Sequence, residues 1–288
     1  MRLDVVDLRD FYGRPLGRVA RRFVGQAVRR CWPAVAGMTV VGLGYAVPYL
    51  GQFRDEAARV LALMPAQQGV VHWPRDGKYL TGLVDEVFLP LPDASVDRLL
   101  LVHQLEAADQ LRPALREAWR VLAPDGRIMI IAPNRRGMWA RGESTPFGYG
   151  RPFSRGQLVS LLRSAMLTPV DWASALFMPP LGWRFFLRSA AAWERVGAAL
   201  WPRFAGVMVV EATKQIYAPA GHRERARRRL PLVAPAPFAA RGAAPGLNRA
   251  LAVPAHKDLP AARHAPTVAA APQTDRARTA PDLPTNRT

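Results

Sequence analysis

Three places in this 288-residue chain carry groups that could do chemistry. The first is Gly42-Leu43-Gly44, which follows the apolar residues 38–41 and precedes Pro48 and a helix-like stretch. Glycines there let backbone approach a nucleotide closely, at φ values other residues avoid; the same pattern also makes an ordinary turn. The second is a pair of neighbouring acids, Asp85 and Glu86. The third is His103 with Gln104, closing the apolar run 96–102, with Glu106 just beyond. A histidine in that position can exchange protons near neutral pH or only hydrogen-bond within the fold. Its spacing to Glu106 along a loop defines no acid–base pair. No other constellation competes: the five histidines are scattered without metal-ligand spacing, and the single cysteine, Cys31, allows neither an intrachain disulfide nor a cysteine-based zinc site.

The elements that must hold these groups alternate between strand and helix. Residues 38–41, 59–64, 96–102 and 127–132 read as buried strands, and 70–73 as a short extended piece. Residues 49–58 and 111–122 read as helices, and 123–126 as a turn. The alternation predicts a parallel, doubly wound sheet with right-handed crossovers, and such sheets bind ligands at the carboxyl ends of their strands. Ahead of the first strand, residues 11–31 set Leu16, Val19, Ala20, Phe23, Val24, Ala27 and Val28 on one side at helical spacing, with arginines largely elsewhere. This helix either packs on the sheet or serves as a lid, with Tyr12 near the pocket mouth. After the fifth strand, Arg135, Arg136, Arg141 and Arg151 alternate with Trp139, Phe147, Tyr149 and Phe153, a loop able to hold an anionic or aromatic ligand. Ser154 caps a helix over 157–164. Residues 167–177 and 206–217 form two further strands, joined by a helix over 183–200 that is expected to pack on the sheet or on a partner rather than on a membrane.

Bulk properties bound the partners. The formal charge of +18 divides unevenly: residues 218–288 hold twelve basic and four acidic residues, net +8, leaving +10 on the first 217. Only three of the 40 basic residues are lysines, and an arginine, alanine and proline excess of this kind also arises from GC-rich coding. The charge is therefore read as generic surface charge, with nucleic acid as the alternative partner. The proline-rich segment 218–288 lacks helical or strand periodicity and is expected to be a disordered tail beyond a domain over 1–217. No apolar signal core opens the chain and no apolar run is long enough to span a bilayer, so a cytoplasmic location is expected.

Residues 88–97 (FLPLPDASVD), 103–106 (HQLE) and 115–126 (LREAWRVLAPDG) resemble, in order and spacing, the middle of the type 11 class I S-adenosylmethionine-dependent methyltransferases. The motif-level resemblance covers about residues 38 to 134. It implies a Rossmann-like seven-stranded sheet with the last strand antiparallel, S-adenosyl-L-methionine as cofactor, and in-line methyl transfer to an acceptor the sequence does not name. Orientation supplies much of the rate of such a transfer, and a base is needed only where the acceptor must lose a proton.

Carried over residue by residue, the resemblance puts the cofactor at Gly42, Leu43, Gly44, Tyr45, Met64, Asp85, Glu86 and His103. Asp85 would accept the adenine amino group, and His103 and Gln104 would line the transfer pocket. Tyr12, Arg135, Trp139, Phe147 and Tyr149 are the acceptor-binding candidates. Two acids of the family pattern are missing: Gly42 stands where the glycine loop starts with one, and Leu63, Met64 and Pro65 where one takes the ribose hydroxyls. Gln67, Gln68 or backbone groups would have to replace the second. These losses favour the alternative, a non-catalytic binding or regulatory protein of the same fold. A methyl donor also requires that Tyr45, Met64 and Pro48 leave the crevice open.

Overall fold

The computed structural model describes residues 3–215, so the expected tail over 218–288 lies outside the described residues. Seven strands make one sheet: β1 (Thr39–Gly44), β2 (Arg59–Pro65), β3 (Thr81–Val84), β4 (Val96–Val102), β5 (Leu122–Pro133), β6 (Leu167–Ala175) and β7 (Val207–Lys214). Their order is β3-β2-β1-β4-β5-β7-β6. The first five are parallel, and β7 runs antiparallel between β5 and β6. This is the doubly wound sheet with an antiparallel last strand that the alternation and the resemblance imply.

Period-two alternation sorts the strand side chains between two cores. Val40, Leu100, Val102, Met129 and Ile131 face α1 (Val5–Gly13), α2 (Pro15–Cys31), α3 (Val47–Leu50), α6 (Arg184–Arg188) and α7 (Ala190–Leu200). Val41, Leu43, Leu99, Leu101, Ile128 and Ile130 face α4 (Leu111–Val121) and α5 (Arg155–Ser164). Each such side chain, fully buried, stabilises the fold by about 1.5–3 kcal/mol relative to exposure. Polar ties set the register of the edge that matters. Asp97 accepts the Thr39 N–H at 2.8 Å, fixing the start of β1 against β4. Arg120 on α4 pairs with Glu117 and Asp93 and donates to the Leu89 carbonyl, bracing the loop that leads into β4.

Several local expectations are corrected. The helix expected over 11–31 is two helices, because Pro15 holds Arg14 extended (φ −74°, ψ 158°) and opens α2 as a first-turn proline. The helix expected over 49–58 shrinks to α3 and one 3₁₀ turn, Gly51–Phe53, and Glu56 turns away to pair with Arg29 at 2.8 and 2.9 Å. The helix over 183–200 is split at Ser189, whose hydroxyl donates to the Phe185 carbonyl at 2.7 Å and competes with the ladder. Residues 123–126 are absorbed into β5 across a register shift opposite Val96 and Arg98. No strand forms over 70–73; β2 is paired by β3 instead. Ser154 caps α5 as expected, in a reciprocal capping box with Gln157.

Candidate functional site

At the carboxyl edge, Gly44 ends β1 with φ +79°, and a Cβ there would lie 2.3 Å from the Val102 carbonyl oxygen. The turn therefore presses against the end of β4, and the Tyr45 N–H donates to that same carbonyl at 2.8 Å. At Gly42 a Cβ would meet the Ala46 methyl at 2.5 Å and a Leu50 methyl at 2.6 Å. An acid cannot occupy that position, since α3 packs down onto the strand where its carboxylate would stand. At the end of β2, Leu63 and Met64 are buried and Gln67 is exposed. Gln68 is 1% exposed, and its Oε1 has no donor.

The two neighbouring acids divide. Asp85 is exposed and its Oδ1 accepts the Val87 N–H at 3.0 Å. Glu86 is buried and accepts from the Gln104 amide. His103, the residue just past β4, is held at φ +50°, a conformation that costs energy for a residue with a side chain and is found disproportionately at functional sites. The reading that it has no acid partner is corrected: His103 Nδ1 lies 3.1 Å from Glu106 Oε1, because the left-handed backbone at 103 folds the loop back within three residues.

On its other side His103 Nε2 lies 2.9 Å from the Tyr12 hydroxyl, which lies 3.1 Å from the Tyr49 hydroxyl. With Glu106 ionised, the network assigns the proton of neutral His103 to Nδ1, donating to Glu106. Nε2 then accepts from Tyr12, and Tyr12 accepts from Tyr49. The phenols are kept as donors. Burial first, then Tyr49, pushes Tyr12 well above the ordinary tyrosine range, and burial raises Tyr49 as well. Tyr45, stacked on Tyr12 with ring centres 5.7 Å apart, is pushed up by burial to about 12.

Tyr12 belongs to α1, which lies over this edge and is tied to it by the Val5 N–H donating to the Gln68 carbonyl at 2.8 Å. Of the three residues required to leave the crevice open, Tyr45 is buried and stacked on Tyr12, Met64 is buried in the core and Pro48 is half-buried. Beside the His103–Glu106 pair remains a cavity of about 10 Å³, reached by Leu3, Leu8, Gln68 and Tyr149. The polar groups around it are nonetheless unfinished. Gln68 Oε1 and Glu106 Oε2, which line it, are buried without partners, as are Gln104 Oε1 and the Thr145 hydroxyl in the adjoining stretches. Buried acceptors seldom go without donors, and these fit a ligand that brings hydroxyls and an amino group, as a nucleoside amino acid does. The unpartnered acceptors fit such a cofactor, and α1 lies over them.

The acceptor-binding candidates separate. Tyr12, Phe147 and Tyr149 surround His103, the Phe147 ring at 4.8 Å. Trp139 is buried behind Phe147 and donates to the Met178 carbonyl at 2.7 Å. Arg135 is exposed and points elsewhere, into a 540 Å³ groove beside α5 with Arg112 and Arg151. Sequence reasoning gave no role to Tyr49 or Thr145 and no partner to His103. The three-residue spacing of His103 and Glu106 is the one signal that could have found the pair, and it is mute without the backbone turn.

Comparison with known proteins bears on this edge directly. Residues 39–130 match the family profile described as "Methyltransferase domain". A Mycolicibacterium smegmatis protein named "Probable S-adenosylmethionine-dependent methyltransferase" is 31% identical over 130 residues, 43% of this chain and 48% of that protein. Over these residues the chain is similar to a methyltransferase domain. It spans about half the length of the curated relative it matches. Solved structures share the fold. A protein described as "the putative methyltransferase" in complex with the Haloferax volcanii Trm112 methyltransferase activator superposes with TM-score 0.52 at 20% identity, over 75% of this chain and all of that one. A Thermotoga maritima SAM-dependent methyltransferase gives 0.50 at 18%, over 73% and 96%.

Proposed function

We propose that the domain over 1–217 transfers a methyl group from S-adenosylmethionine to an acceptor whose reacting hydroxyl or amine loses its proton to His103. The observation that carries the reading is the strained, buried His103, hydrogen-bonded by Glu106 at the carboxyl end of β4 in a methyltransferase sheet. The donor, when bound, supplies a methyl carbon already activated on a sulfonium. The glycine turn at 42–44, Gln68, Glu86 and Gln104 are the groups that would hold it. Glu106 fixes the imidazole so that Nε2 faces the position now taken by the Tyr12 hydroxyl. An acceptor hydroxyl there would give its proton to Nε2 as its oxygen becomes the nucleophile, and Glu106 would stabilise the resulting imidazolium. The buried aromatic wall of Phe147, Tyr45 and Tyr49 excludes water from that step. Donor and acceptor can enter only when α1 lifts, so α1 is read as a lid. A cytoplasmic setting is consistent with the single cysteine.

Calorimetric titration with S-adenosylmethionine and S-adenosylhomocysteine tests the reading, and we expect micromolar binding. Glu86→Gln should weaken it by about tenfold, the size of one charged hydrogen bond, and Asp85→Ala by less than about twofold. A flat titration at millimolar ligand, in the full chain and in a variant with Tyr12 truncated to alanine, would support instead a non-catalytic protein of this fold.

A further inference from the structure

The connection from β6 to β7, residues 181–204, is the part of the described chain where burial fails. Six of the fourteen exposed large apolar side chains of the described residues fall in these 24 positions: Leu181, Trp183, Phe185, Val196, Leu200 and Phe204. Trp183, Phe185 and Leu200 are the most open of the six, at 68, 70 and 70% exposed. The outward orientation is fixed, because α7 is pinned by its other face. Glu194 points inward and accepts the Phe177 N–H at 2.7 Å and the Leu176 N–H at 3.2 Å. Gly197 lies so close to Phe177 that a Cβ would meet its Cβ at 2.4 Å. Phe186, Leu187 and Trp193 turn into the core. What remains outside is apolar, interspersed with Arg184, Arg188, Arg195 and Arg203, all exposed and, among the described residues, in no ion pair. Glu194 is the one acid of the segment, and it is the residue turned inward.

From this patch we infer that residues 181–204 dock the protein on an anionic lipid surface. Tryptophan, phenylalanine and leucine lodged at the headgroup level, with arginines reaching to lipid phosphates, are the components by which proteins lie on a bilayer without crossing it. No helix of the described residues is long and apolar enough to cross one. Charge decides against the other occupants. A second copy joined through the same face would set arginine against arginine with no outward carboxylate to pair them. A nucleic acid would use the arginines and the rings but leave Leu181, Val196 and Leu200 without a partner. Since β6 runs in the same direction as β5, the patch begins at the carboxyl edge of the sheet, the edge that also holds His103.

Co-sedimentation of the full chain with vesicles tests this. Binding to phosphatidylcholine vesicles containing about a third phosphatidylglycerol should exceed binding to phosphatidylcholine alone by about tenfold or more, and should fall in high salt. Replacing Trp183, Phe185 and Leu200 together by serine should weaken binding by about a hundredfold. Arg184→Ala with Arg188→Ala should weaken binding to the anionic vesicles by about twentyfold and leave the neutral ones unchanged. All these side chains are exposed, so the variants should melt as the parent does. Unchanged vesicle binding by the serine variant would assign any lipid affinity to another part of the chain and overturn the inference. So would a parent that ignores vesicles but self-associates until the serine variant breaks it.

Discussion

The carboxyl edge of the sheet ends in two opposite ways. Over β1 and β4 a set of polar groups, His103, Glu106, Gln104 and Gln68, is sealed beneath an aromatic helix. Beyond β6 a set of apolar groups, Trp183, Phe185 and Leu200, is left in water. Folding ordinarily does the reverse at both places. A buried polar cluster with unpartnered acceptors and an exposed apolar cluster are each unfavourable for the isolated chain, and each is relieved by something from outside. On the readings proposed above, the first would be relieved by a small polar ligand in place of Tyr12, the second by a lipid surface. The burial state of a group says less than whether that state suits its chemistry.

The sharpest way to break the contrast is at the sealed end. His103→Ala and Glu106→Gln should each lower methyl transfer to an acceptor found by screening by about 10²- to 10⁴-fold at saturating donor; equal rates would reduce the pair to a structural hydrogen bond. A smaller effect is expected in the opposite direction from the lid. Tyr12→Ala, which removes the ring over Tyr45 and the hydroxyl on His103, should tighten S-adenosylhomocysteine by about tenfold, because less of the protein is held in the closed form. Unaltered affinity in calorimetry would mean that α1 does not compete with the ligand. The smallest effect is on stability. Burial raises Tyr45 from 10.0 in the unfolded chain to about 12 in the folded one. Its favourable contribution is therefore complete below pH 10 and is lost as pH rises from there toward about 12. Thermal melts of the parent should fall in that window, and those of Tyr45→Phe should fall less steeply, by about 1.4 kcal/mol per pH unit.

Much of the fold was legible because strand and helix alternate with clean apolar runs, and because residues 88–126 preserve a recognisable order of motifs. The boundaries that failed did so for local reasons. Pro15 divides one amphipathic pattern into two helices, and Ser189 divides another, without disturbing the periodicity on either side. The site was legible as a location and not as an arrangement. His103 and Glu106 were both visible, but their pairing depends on a left-handed residue that no side-chain pattern announces. The missing acid at 42 gains a reason only from α3, whose Ala46 and Leu50 fill the space. The helix over 183–200 was expected against the sheet or a partner; only Glu194 and Gly197, once placed, show which side faces inward.

Arg14 closes α1 and opens α2, so the two helices share one residue and have no slack between them. Pro15 confines that residue to extended backbone, and Gly17 would bring a Cβ within 2.0 Å of the Phe11 carbonyl oxygen, jamming the two helix ends together. On the proposed reading of α1 as a lid, the helix would swing about Arg14, with its far end at Val5 travelling most. The Val5–Gln68 tie, at the end of α1 far from Arg14, is then the backbone contact that such a swing would have to break.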